Sequence, residues 1–187
     1  MTNLTIRKIP QVSTKTWLSP VHTNSLHTIM QTPVGEFSLY RKPGRRNSIT
    51  AKAESWEEWS LILDDQEVMT VEDAAAPWLP LRKRMRTGIH GQLAGLKFQA
   101  HAKRSLIPGK RTVHFIFDDH SLRFTVEGMS KVLYRENSIG SRMVAKYHRR
   151  EWQTQEENIA VTALICFHTV TGLDVFLESP LWDIPPF

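Results

Sequence analysis

Cysteine is nearly absent. Cys166 stands alone among 187 residues, so no disulfide can close within the chain. That excludes a small secreted domain stapled by bridges and fits a reducing compartment. Long apolar runs are missing as well. The longest, residues 159–170, is interrupted by Thr162, His168 and Thr169 and falls short of the roughly 20 residues a membrane-spanning helix needs. Residues 1–10 contain no apolar stretch of signal-peptide length. The expected location is cytoplasmic, either free or peripheral to a membrane. No segment is low-complexity and no repeat has a convincing period. Neither a Walker-type sequence nor a Gly-x-Gly-x-x-Gly follows any strand-like run, and there is no Gly-x-Ser-x-Gly elbow.

What is present is a core-forming composition with a basic balance. Hydrophobic residues make up 41% of the chain, enough for one domain with a sizeable interior. The net charge is +5 and the isoelectric point near 9.5. Such an excess favours acidic partners: phospholipid headgroups, an acidic protein, nucleic acid or anionic metabolites.

Residues 1–24 are polar, end near Ser19-Pro20, and read as an N-terminal arm anchored only by Trp17 and Leu18. From Ser25 to His148 short runs alternate with turn signals. The clearest are residues 112–117, where Val113, Phe115 and Phe117 share a face, and 121–126, where Leu122, Phe124 and Val126 do. Other extended runs are 25–31, 36–41, 47–53, 58–63, 67–71, 95–101, 130–135 and 141–147. Turns are expected at Pro43-Gly44, Asp64-Asp65, Pro108-Gly109, 118–120 and 137–140. About ten strands at such spacing indicate a sandwich or barrel. Residues 71–76 read as a helical turn, 82–86 as a basic run without period, and 87–95, with Gly88, Gly91 and Gly95, as a loop.

The end of the chain differs in kind. Thr154 followed by Glu157 matches a capping box, and Gly172 suits a helix C-terminus. Between them the residues are apolar on almost every side. A helix over about 155–171 that is apolar all round must be buried all round. The fold expected is therefore mainly β, a barrel or strongly curled antiparallel sheet, closed around a buried hydrophobic C-terminal helix within a single unit, 25–187.

The residues that carry a family likeness are the strand Ser141-Arg142-Met143-Val144-Ala145-Lys146-Tyr147, the helix 158–171 after it, the hairpin 112–126, and the early strand Gly35-Glu36-Phe37-Ser38-Leu39-Tyr40. Over roughly residues 25–175 this arrangement resembles the tubby-like superfamily. That superfamily includes the tubby C-terminal domain, the LURP-one-related proteins and the phospholipid scramblases. The resemblance implies a closed antiparallel barrel of about a dozen strands threaded by a hydrophobic helix, and it makes phosphoinositide or other anionic lipid a ligand class to expect. No phosphoinositide-binding residue of the tubby domain maps onto this chain by motif.

Side-chain chemistry points to binding more than to catalysis. No two of the eight histidines form a His-x-His or His-x-x-x-His pair of the kind that begins a zinc site, so no metal and no cofactor is expected. Asp118-Asp119-His120 sits at a turn, where Asp is favoured for backbone reasons. Cys166 lies on the apolar helix, two residues from His168, a spacing at which helical side chains diverge. No catalytic residue is assigned. The paired carboxylates, 57–58, 64–65, 118–119 and 156–157, have structural readings at strands, turns or a helix start.

The basic clusters remain. They are Arg41-Lys42 with Arg45-Arg46, Arg82-Lys83-Arg84 with Arg86, Lys103-Arg104, Lys110-Arg111, and Lys146 with Arg149-Arg150. Most flank turns, where cations also guard strand edges. If several share one end of a barrel they form an anion-binding patch. Arg82, Lys83, Arg84, Arg86, Lys146, Arg149 and Arg150 are its candidate residues, with Trp78 beside the densest run suited to a headgroup layer. Three functions stay open: a non-enzymatic module for anionic lipid or an acidic partner; a small-molecule or catalytic barrel with a pocket lined by Trp and His; and a nucleic-acid binder.

Overall fold

The computed structural model describes residues 2–4, 6–9, 25–43, 57–75, 81–149 and 151–178. Within them the protein is mainly β, as its alternating pattern requires. The strands are β1 (Thr2–Leu4), β2 (Arg7–Ile9), β3 (Ser25–Thr32), β4 (Gly35–Pro43), β5 (Glu57–Leu63), β6 (Gln66–Ala75), β7 (Ile89–Leu93), β8 (Leu96–Lys103), β9 (Thr112–Ile116), β10 (His120–Glu127), β11 (Ser130–Asn137), β12 (Gly140–His148) and β13 (Glu151–Thr154). Three helices join them: α1 (Leu81–Thr87), α2 (Ile159–Val170) and the single turn α3 (Val175–Glu178).

From β2 to β13 each strand pairs antiparallel with the next in sequence. The start of the chain supplies both ends of this strand order. β1 pairs with β13, Leu4 opposite Trp152, while β2 pairs with β3, Ile9 opposite Ile29. The thirteen strands make a nearly closed antiparallel barrel. Closure removes the free edges that an open sheet would expose. The start of the expected arm is therefore built into the sheet. Arg7, Lys8 and Ile9 are satisfied by backbone pairing, which polar residues support as well as apolar ones. Residues 10–24, with Trp17 and Leu18, lie outside those described, as do the run 47–53 and the turn at Gly44.

The lumen is filled by alternate strand residues. Along β7, Ile89, Gly91 and Leu93 point inward while His90 and Gln92 face solvent. Val113, Phe115, Phe117, Leu122 and Phe124 are buried together, as their period-two pattern predicts. α2 runs through the middle, with Val161 to His168 all buried. Its all-round apolarity has no other place to go.

The helix begins later than expected. Thr154 is not its cap. It is the last residue of β13, paired with Ala145 and Thr2. Asn158 takes the role instead, its Oδ1 accepting from Ala160 N at 2.8 Å and Val161 N at 3.3 Å. Asn is at least as good a cap as Thr, and the Trp152-x-Thr154 alternation serves the sheet. Replacing Asn158 with Ala should lower stability by about 1 kcal/mol, read as a shift in urea midpoint at unchanged slope. A loss below a few tenths would mean that water caps the helix equally well.

Three further expectations give way to pairing. Residues 71–75 continue β6 rather than forming a helical turn. Asp73 there adopts φ 47°, and the register slips between β5 and β6, so a bulge absorbs the irregularity. Residues 89–93 are a strand, not a loop. Residues 81–87 are a helix, not an aperiodic run, with Leu81 and Met85 buried four residues apart on one helical face.

Candidate functional site

In an up-and-down meander, successive connections alternate between the two ends of the barrel. One end carries the tight turns: Asp64-Asp65, Ala94-Gly95, Asp118-Asp119 and residues 138–139. The other carries the links from β2 to β3, β4 to β5, β6 to β7 through α1, β8 to β9, β10 to β11, and β12 to β13. The basic clusters at Arg41-Lys42, 82–86, Lys103-Arg104, Lys110-Arg111 and Arg149 all adjoin links of this second end. Two turns at the opposite end, Asp64-Asp65 and Asp118-Asp119, are acidic, and Glu57, Glu58, Glu127 and Glu151 stand beside links of the cation-bearing end.

The clusters do not merge into one point. α1 follows β6, whereas Lys146 lies on β12, six places further round the ring. Between them stand Lys103, Lys110 and Lys131, so the cations line about half of a rim rather than a pocket. Lys83 and Arg86 are exposed on α1, and Lys146 and Arg149 on the far side. Arg149 takes a left-handed φ of 51° in the turn after β12. Arg82 belongs to α1, and Arg150 lies outside the described residues. Arg84 turns back onto the fold, donating from Nε to the Asp73 carbonyl at 3.1 Å, and ties α1 to β6. Partial burial, reinforced by the neighbouring Arg86 charge, lowers the pKa of Arg104, and its guanidinium lies 5.7 Å from the Phe176 ring centre.

Further cations of this rim are engaged within the fold: Arg41 pairs with Glu57 at 2.7 Å and Lys42 with Glu67 at 3.2 Å. Arg111 is buried, and its guanidinium donates to the carbonyls of Ser105 at 2.9 Å, Leu106 at 3.3 Å, Leu177 at 3.2 Å and Glu178 at 2.9 Å. It locks the β8–β9 link to α3. Lys131 donates to Asp174 at 3.2 Å and Glu178 at 2.6 Å. Burial works against its ammonium, yet the bonds to Glu178 and Asp174 raise its pKa above the ordinary lysine value. Lys131, Asp174 and Glu178 escaped the sequence reading because ion pairing over such separations leaves no local pattern. Arg111, Lys131, Asp174, Pro108, Met129 and Tyr147 border an open depression of about 500 Å³.

Among the described residues, the buried Cys166 and His168 show no reactive pairing. Burial pushes the Cys166 thiol up to about 12, which leaves it protonated and inert at neutral pH. His168 is fully buried, stacked on Phe124 with ring centres 4.0 Å apart, and neither ring nitrogen has a hydrogen-bond partner. Trp59 packs edge-on against Phe167, and Trp152 against Phe124. These rings pack with the side chains of α2 and the strands around it. Among the described residues no three His, Cys, Asp or Glu side chains converge as metal ligands, and no helix is long and apolar enough to cross a membrane.

On the outer wall His101 and His114 face each other across β8 and β9, their rings stacked at 5.2 Å. Arg123 lies over Tyr134 at 5.1 Å. Arg123 bonds Glu136 and Tyr134 bonds Glu127.

No family model matches the chain, and neither the curated proteins nor the solved structures contain a match.

Proposed function

We propose that the protein is a non-enzymatic binding module that sets the basic end of its barrel against an anionic surface. The observation that carries this reading is topological. Five clusters spread from residue 41 to 149 meet links at one end because the meander alternates its connections. At physiological salt, charges more than about 8 Å apart screen one another out, so a rim of neighbouring cations attracts a polyanion where the same cations scattered would not. The buried, protonated Cys166 supports binding over catalysis. The architecture, a nearly closed antiparallel barrel around an apolar helix, supports placing the chain near the tubby-like superfamily.

Position, not net charge, is what the reading asserts. Lys83 and Lys110, at the basic end, are replaced with Ala, and separately Lys97 and Arg142, toward the other end. Affinity for heparin is then measured against salt. At about 1 kcal/mol per cation near an anionic surface, the first pair should weaken binding roughly thirtyfold and flatten the salt dependence. The second should leave it within about twofold. Equal losses from both pairs would reduce the effect to bulk charge and remove the site.

A further inference from the structure

The link from β8 to β9 is longer than a reversal needs, and it holds apolar side chains away from the protein. Leu106 is 79% exposed and Ile107 55%. Beside them the β10–β11 turn presents Met129, 104% exposed, and Pro108 and Met129 border the same depression. Exposed apolar side chains are common singly; three on adjoining tips of one barrel end are not.

The link is held in shape. Arg111 binds the carbonyls of Ser105 and Leu106. Ser105 Oγ accepts from Ile107 N at 3.1 Å. Residues 108–110 form a 3₁₀ turn, and the carbonyls of Gly109 and of the capping Arg111 both accept from Thr125 Oγ1. The tips are thus pre-organised outward. Exposed Lys103 and Lys110 flank them.

We infer that the anionic surface is a lipid bilayer and that Leu106, Ile107 and Met129 insert into it while Lys103 and Lys110 meet the headgroups. This rests on the basic-end reading and adds the partner. Separate apolar points around a polar depression suit a fluid layer, which closes around each one. A folded protein would have to bury the Lys131–Asp174–Glu178 cluster between them, and burying charged groups is costly. Lysine stems complete the match, lying along acyl chains with their ammonium groups at phosphate level.

The test compares the wild type with a variant carrying Leu106→Ser, Ile107→Ser and Met129→Ser. Binding of each is measured to heparin, to neutral phosphatidylcholine vesicles, and to vesicles about one third phosphatidylserine. The variant should keep its thermal midpoint and heparin affinity but partition about a hundredfold more weakly onto anionic vesicles. Wild-type binding to those vesicles should outlast its heparin binding as salt rises toward about 0.5 M, where Coulomb attraction is screened. Unchanged vesicle affinity in the variant overturns the inference. Heparin binding by the wild type without vesicle binding overturns the bilayer and leaves the basic end standing; failure on both overturns the basic end as well.

A second readout is independent of affinity. Met129→Cys is labelled with an environment-sensitive fluorophore, Cys166 being buried and unreactive. Its emission should shift to the blue on anionic vesicles. An unshifted spectrum with vesicles bound would place the tip in water and sink the inference.

Discussion

Lowering the pH from about 7 to about 4 should remove roughly 3 kcal/mol of stability through His168 alone. Burial is the main cause. The imidazole sits in the lumen at 0% exposure, and desolvation lowers its pKa from 6.5 to about 3, with Asp174 opposing the shift and Lys131 adding to it. In the unfolded chain the ring titrates near its ordinary value. Between the two pKa values the unfolded state binds a proton that the folded state refuses. The stability is therefore fully present above about pH 6.5 and drains away as pH falls toward 3.

His168→Leu isolates this contribution from that of the carboxylates. Urea unfolding of both proteins at each pH should show the variant as stable as the wild type or better at neutral pH, since two unpartnered nitrogens leave the core. Toward pH 4 the difference should widen in favour of the variant by about 3 kcal/mol. Parallel pH profiles would mean that the histidine is hydrated or opens to solvent before the fold does.

The second large effect is expected at Gly91→Ala. A Cβ there would stand 2.1 Å from the Thr70 carbonyl oxygen and 2.7 Å from the Phe98 ring. The ring could shift; the carbonyl belongs to β6, and moving it opens the β6–β7 ladder. We expect a loss of about 4 kcal/mol or more, the range reached by mutations that break packing and pairing together. Gly95→Ala is the control. Gly95 has φ +81° but open space around it, so its loss should stay near 1 kcal/mol. Similar midpoints for the two variants would show that β6 and β7 yield easily at this point.

Gly91 also explains why one strand was illegible. Glycine punctuates turns far more often than it fills barrel walls, so residues 87–95 carry a loop signal, whereas Gly91 is set by the close approach of Thr70 and Phe98. β13 was hidden by its four residues and by a capping signature at Thr154 that Asn158 fulfils instead. Local signals of equal strength competed there, and pairing with β12 and β1 decided between them.

By itself the sequence determined the class of fold. Period-two alternation at residues 112–126 dictates strands with one buried face, and apolarity on all sides of residues 159–168 dictates a helix that the sheet must enclose. It also placed the basic clusters beside turns. Only the tertiary structure decided which turns share an end of the barrel, that residues 2–9 supply both ends of its strand order, and that Arg111 and Lys131 brace the rim whereas Lys83, Lys103 and Lys110 face outward. The physical reason is range. Burial periodicity acts over a few neighbouring residues and is written into them, whereas electrostatic convergence depends on which distant strands pair.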